Sequence, residues 1–139
     1  MKKDSNPKIY FGRPVNLYDT PLEKKIIRKI QAVFSQYTLE DPHQQVHQEG
    51  YARCKAERED KDGMFYFLFE VIPKMSAGIF VPFEDGNFGS GVYREAEQLR
   101  KYTNQVFEIN LEGIISALIL DPERKLSVEA TRERVYRKK

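Results

Sequence analysis

Gly86, Gly89 and Gly91 bracket Ser90 in the loop from Glu84 to Gly91, and Glu95 follows four residues after the last glycine. Gly-Ser-Gly lets a backbone approach a ligand with no Cβ in the way. A helix opening just behind it would offer free N–H groups and the positive end of its dipole. Such a cradle suits a phosphate, a carboxylate or sugar hydroxyls. The same residues also make an ordinary tight surface turn. Glu95 likewise has two readings. Read as lying in the first turn of that helix, it is a surface residue that favours the dipole. Turned toward a cleft, it is a nucleophile matched to an anomeric carbon, whose transition state is oxocarbenium-like.

Other residue types that carry chemistry have weaker company. His43 and His47 are four apart on a polar stretch, with Glu49 close by. Two histidines on one helical face can ligate a metal, but spacing places no third ligand, so neither a metal nor a cofactor is expected. Cys54 stands alone in a polar run and carries no disulfide or thiol chemistry. Tyr51, Tyr66 and Tyr136 are expected to pack. Arg132, Arg134 and Arg137 are expected on a solvated face or a subunit contact.

Composition bounds what these residues can serve. The chain has 139 residues, 40% hydrophobic and 32% charged, with a formal charge of +2. That is a globular balance and the length of one domain, residues 1–139, able to bury a core without a disulfide or structural metal. A small, scattered positive charge excludes a nucleic acid polymer as the expected partner. Lys2-Lys3 and Arg137-Lys138-Lys139 read as solvated ends, with residues 1–7 and 138–139 as loose tails. The longest apolar stretches, 64–69 and 114–120, fall far short of the roughly 20 residues that cross a bilayer. No membrane partner is expected, and a cytoplasmic location is the default.

The elements that must position the loop follow from periodicity and punctuation. Ile9-Tyr10-Phe11 is a β-prone run ended by Gly12. Thr20-Pro21-Leu22-Glu23 opens a helix, with Thr20 as N-cap, Pro21 at the first position and Glu23 able to close a capping box. Ile26, Ile27, Ile30, Val33 and Phe34 continue it at helical spacing. Residues 37–40 form a short strand, and 41–59 a polar helix weakened by Gly50. Residues 64–75 form a mostly buried helix that Pro73 ends or kinks. Residues 77–83 are a near-continuous apolar run, the mark of a parallel strand covered on both faces. A helix over 92–101, strands over 105–109 and 113–120, and a last helix capped by Ser127 complete the chain. This alternation predicts an α/β fold with a flavodoxin-like parallel sheet of about five strands and helices on both faces. Ligands bind such sheets where the strand order reverses. Here that point brings loop 12–16 beside loop 84–91.

Two segments carry a family resemblance. Ile9-Tyr10-Phe11-Gly12 resembles the opening strand and turn of nucleoside 2-deoxyribosyltransferases. Gly89-Ser90-Gly91-Val92-Tyr93-Arg94-Glu95-Ala96 resembles their second motif, which deoxynucleoside monophosphate N-glycosidases of the same superfamily share. The resemblance covers residues 8–14 and 77–109. It implies a five-stranded parallel sheet, Glu95 as the nucleophile, and Tyr10 as the tyrosine that positions it. It places Ser90 and the loop glycines Gly86, Gly89 and Gly91 near the sugar or phosphate, and implies homo-oligomers that need no metal; Gly12 is expected as a further substrate contact. Three departures qualify it. Lys74-Met75-Ser76-Ala77 stands where the family has a base-holding aspartate, leaving Asp85 as a substitute. Tyr93, Arg94 and Glu97 replace smaller residues. Residues 126–139 have no counterpart. Arg13 is a further anion contact by its bidentate geometry.

The expectation is therefore cleavage or transfer at the N-glycosidic bond of a nucleoside or nucleotide. The alternative is a non-catalytic nucleotide- or nucleotide-sugar-binding module of the same fold. A structural homo-oligomer with a degenerate site is a third possibility.

Overall fold

A computed structural model describes residues 6–136. The basic ends Lys2-Lys3 and Arg137-Lys138-Lys139 lie outside the described residues. Five strands form one sheet: β1 (Lys8–Gly12), β2 (Thr38–Glu40), β3 (Ala77–Phe80), β4 (Val106–Ile109) and β5 (Ile115–Ala117), in the order β2-β1-β3-β4-β5. The first four are mutually parallel. β5 runs antiparallel to β4, which corrects the all-parallel expectation at this edge. The reason is the connection. Residues 110–114 are too few to cross over a sheet, whereas a tight turn serves an antiparallel pair. Asn110 Oδ1 accepts from the Glu112 and Ile114 amides, and Gly113 takes φ +89°.

The helices are α1 (Pro21–Val33), α2 (Gln45–Glu57), α3 (Met64–Tyr66), α4 (Ser90–Arg100) and α5 (Val128–Tyr136). Strand alternation sorts the core into two layers. Ile9, Phe11, Ile79 and Val81 meet Ile26 and Ile30 of α1 on one face. Tyr10 and Phe80 meet Val92, Ala96 and Leu99 of α4 on the other, together with Tyr66, Val71 and Ile72. Helices thus cover both faces, as predicted. Among the described residues, no helix is long and apolar enough to cross a membrane.

Local physics moved several boundaries. The single helix expected over 64–75 changes pitch. α3 runs into a π-helical turn, Phe67–Val71, and then a 3-10 turn, Ile72–Lys74. Pro73 supplies no N–H to a regular helix, so the backbone tightens around it. β3 stops at Phe80 instead of residue 83, because Pro82 cannot donate to the ladder. α2 starts at Gln45 because Asp41 Oδ1 accepts from the His43 amide, making a turn before the helix. Thr20 caps α1 by accepting from the Glu23 amide at 3.1 Å. The Glu23 carboxylate does not close the capping box. It accepts instead from the Asp19 amide and from Arg13. Tyr136, expected to pack, is 69% exposed.

Gly50 is the position where a helix-weakening residue serves packing. A Cβ there would sit 2.3 Å from the Tyr66 ring. Gly50→Ala gains about 1 kcal/mol in helix propensity but forces a buried ring to move, which typically costs ~1–3 kcal/mol. The expected net result is a lower midpoint in urea denaturation. An unchanged or higher midpoint would show that the ring does not depend on this gap.

Candidate active site

Tyr10 is in the middle of β1, and strand alternation points its side chain toward α4. Its hydroxyl donates to Glu95 Oε2 at 2.7 Å, with both residues buried. α4 begins at Ser90 rather than at Val92, so Glu95 sits in the second turn of the helix instead of the first. That takes it away from the helix end that would stabilise its charge. Gly12 ends β1 beside it. A Cβ at Gly12 would lie 3.2 Å from Glu95 Oε1 and 2.5 Å from the Phe80 ring, so the glycine keeps room for both.

Burial sets the proton affinity of the pair. Desolvation pushes the Glu95 carboxyl up to about 7, against the opposing pull of the Tyr10 hydrogen bond, Arg13 and Arg94. Desolvation also raises Tyr10 well above the ordinary phenol value, and the Glu95 charge raises it further. Tyr10 is therefore a fixed donor, while Glu95 exchanges its proton near neutrality.

Glu95 lines a cleft of about 580 Å³. The segment after β1 contributes Arg13 and Tyr18, and α2 with its lead-in contributes His43 and Tyr51. Met64 and Phe67 come from the α3 region, and Gly91 from the start of α4. The lining is mostly aromatic and apolar, with a few polar groups, as small-molecule sites generally are. Arg13 is 5% exposed. Its guanidinium pairs with Glu23 through Nε and with Asp41 through Nη1 at 2.8 Å. It also lies over the Phe11 and Tyr18 rings at 4.5 Å each. Burial opposes its charge, but the two carboxylates prevail and raise its proton affinity. Arg13 thus borders the cleft with its charge already matched.

The loop residues divide. Gly91 lines the cleft. Ser90 is buried, and its amide donates to Thr131 Oγ1 of α5 at 2.9 Å. A Cβ at Gly89 would lie 3.1 Å from the Thr131 methyl, so that glycine admits α5. Asp85 faces a different cleft, beside Pro14 and Asn16. There Arg134 grips both carboxylate oxygens, at 2.9 and 2.7 Å, and holds the carboxyl down at about 2. Arg13, Gly91 and Glu95 therefore line this cleft, Tyr10 and Gly12 adjoin Glu95 behind it, and Asp85, Gly89 and Ser90 do not line it. The loops 12–16 and 84–91 do meet, but around Asp85.

Both ring nitrogens of His47 are engaged, Nδ1 with Tyr66 Oη at 2.8 Å and Nε2 with Glu40 Oε2 at 2.6 Å. Neither is left for a metal. His43 instead stacks on Tyr18, with ring centroids 4.0 Å apart. Tyr18, which lines the cleft, and Glu23 and Asp41, which hold Arg13 at its border, are residues that spacing alone did not reveal. The one sequence signal was the Asp19-Thr20-Pro21 helix start, which fixes where the preceding tyrosine lies.

The buried carboxyl has a consequence for stability. Between the ordinary carboxylate range and about 7, the native state keeps a proton that the unfolded chain has released. The stabilisation from that proton is full at low pH and is lost as pH rises through about 7. Glu95→Gln keeps an acceptor for Tyr10 without the ionisation. The stability of the variant relative to the parent should therefore grow by on the order of 2 kcal/mol between about pH 5 and pH 8. Denaturation at the two pH values measures it. A pH-independent difference would mean that Glu95 titrates like an exposed carboxylate. No protein-family model, curated protein or solved structure gives a significant match to the chain.

Proposed function

We propose that this chain cleaves or transfers at the N-glycosidic bond of a nucleoside or nucleotide, with Glu95 as the nucleophile. The observation that carries the reading is the buried 2.7 Å contact between Tyr10 and Glu95 at the edge of a cleft lined with aromatic residues. In this mechanism a Glu95 oxygen attacks C1′ and the C1′–N bond breaks. Its electron pair leaves with the base, which takes a proton from solvent. Water then attacks C1′, releases the sugar and its own proton, and regenerates the carboxylate. If a second base attacks instead of water, the sugar is transferred. Two carbon–heteroatom bonds form and two break in either course. The Tyr10 bond holds one carboxylate oxygen, which leaves the other to react.

The nucleophile must be ionised, so kcat/KM should rise with pH through about 7 and then level off. Tyr10→Phe removes a hydrogen bond that favours the charged form and should move that midpoint to higher pH. Glu95→Ala should abolish release of free base, measured by chromatography on a panel of nucleosides and their monophosphates, while the fold persists. Full turnover by Glu95→Ala would refute the mechanism.

A second reading rests on the same burial. Below about pH 7 the Glu95 carboxyl is neutral and can donate to a ligand. That suits a non-catalytic nucleotide- or nucleotide-sugar-binding module. A thermal shift with the same panel and no free base would favour binding alone.

A further inference from the structure

Tyr18 follows the 3-10 turn Val15–Leu17 and precedes Asp19, which takes φ +62°. Asp tolerates this left-handed conformation better than most residues. The Asp19 amide is fixed by Glu23 Oε1 at 2.9 Å, the same side chain whose other oxygen meets Arg13. Backbone and ring are therefore set by one network. The Arg13 guanidinium lies over the Tyr18 ring, the His43 ring stacks on it, and the side chain lines the cleft that Glu95 lines. A side chain this firmly held has its position determined before any ligand arrives, which is what makes a contact useful in a transition state.

The hydroxyl is different from the ring. Tyr10, the other tyrosine near the carboxyl, spends its hydroxyl on Glu95. Among the described residues, the Tyr18 hydroxyl has no hydrogen-bond partner, although its ring contacts both Arg13 and His43. Burial pushes it up to about 12, against the pull of Arg13, and the negative charge of Glu95 adds to the rise. It therefore keeps its proton across the working range and is a donor rather than an acceptor of charge.

We infer that the Tyr18 hydroxyl contacts the departing base and donates a hydrogen bond to it as the C1′–N bond breaks. This rests on the glycosyl-transfer reading above. The base leaves with the bonding electron pair, and negative charge grows on its nitrogen and oxygen atoms. A donor waiting there lowers the barrier without giving up its proton, which the base still takes from solvent. Two tyrosines then divide the work: Tyr10 holds the nucleophile, and Tyr18 meets the leaving group.

The test compares Tyr18→Phe with the parent on two kinds of substrate. One is a panel of purine and pyrimidine nucleosides. The other is a nitrophenyl glycoside of the same sugar, whose nitrophenolate leaves without a hydrogen-bond donor. Phe keeps the ring contacts with Arg13 and His43, and an unchanged thermal midpoint checks that it does. The expected result is a loss of roughly 10²-fold in kcat/KM on the nucleosides and little loss on the nitrophenyl glycoside. An equal loss on both substrates, or none on either, overturns the role of Tyr18 while leaving Glu95 as nucleophile. Absence of product from every substrate with the parent chain overturns the glycosyl-transfer reading and this inference with it.

Discussion

Glu95 is drawn into the interior by α4 and met there by a single phenol from β1. The cost of burying a carboxylate is several kcal/mol unless hydrogen bonds offset it. Here one neutral donor offsets part of that cost, and the carboxyl responds by holding its proton up to about 7. The constraint reaches outward from this contact. β1 must place Tyr10 on the α4 face, so its alternation assigns Ile9 and Phe11 to the α1 face. Gly12 must lack a side chain, because Phe80 and a carboxylate oxygen occupy the space beside it. α4 must carry its small and apolar residues on the sheet side, where Ala96 and Leu99 pack.

The second organising group is Arg13. Its guanidinium is as inaccessible as Glu95, yet it has two carboxylates and two aromatic faces around it. An arginine fork held through Nε and Nη1 in this way acts as a joint. It ties the end of β1 to α1 through Glu23 and to the segment after β2 through Asp41. The cleft walls on that side are thereby fixed to one another, and the positive charge nearest Glu95 is shared with the carboxylates that flank it. Removing either carboxylate would leave the other to balance the charge alone and would loosen Tyr18.

Much of the fold was legible because its signals are local. Thr20 and Pro21 announce α1, the 77–83 run announces a covered strand, and the order of elements follows from alternation. Asn110 and Gly113 show how the last pair turns back, but the direction of β5 depends on the length of its link rather than on its composition. The Tyr10–Glu95 contact is 85 residues apart in sequence. Periodicity puts each on the right face of its own element, and only the resemblance suggested that they meet. Arg13, Asp85 and Ser90 show the limit. Each has the chemistry of a ligand contact in isolation. Each finds an internal partner, respectively Glu23 with Asp41, Arg134, and Thr131. Which polar group is free is a property of the assembled surface, and no spacing rule encodes it.

α5 has no buried residue of its own. It is joined to the loop before α4 by Thr131 on the Ser90 amide and by Arg134 on Asp85, the latter beside the Phe83 ring. An element attached through side-chain polar bonds, with little apolar area behind it, sits at the low end of a protein's range of local stabilities. The two layers around the sheet, by contrast, are held by clusters of buried apolar side chains. Opening of the last helix alone would free the Ser90 amide and Asp85 together, while the sheet and the Tyr10–Glu95 contact stayed intact.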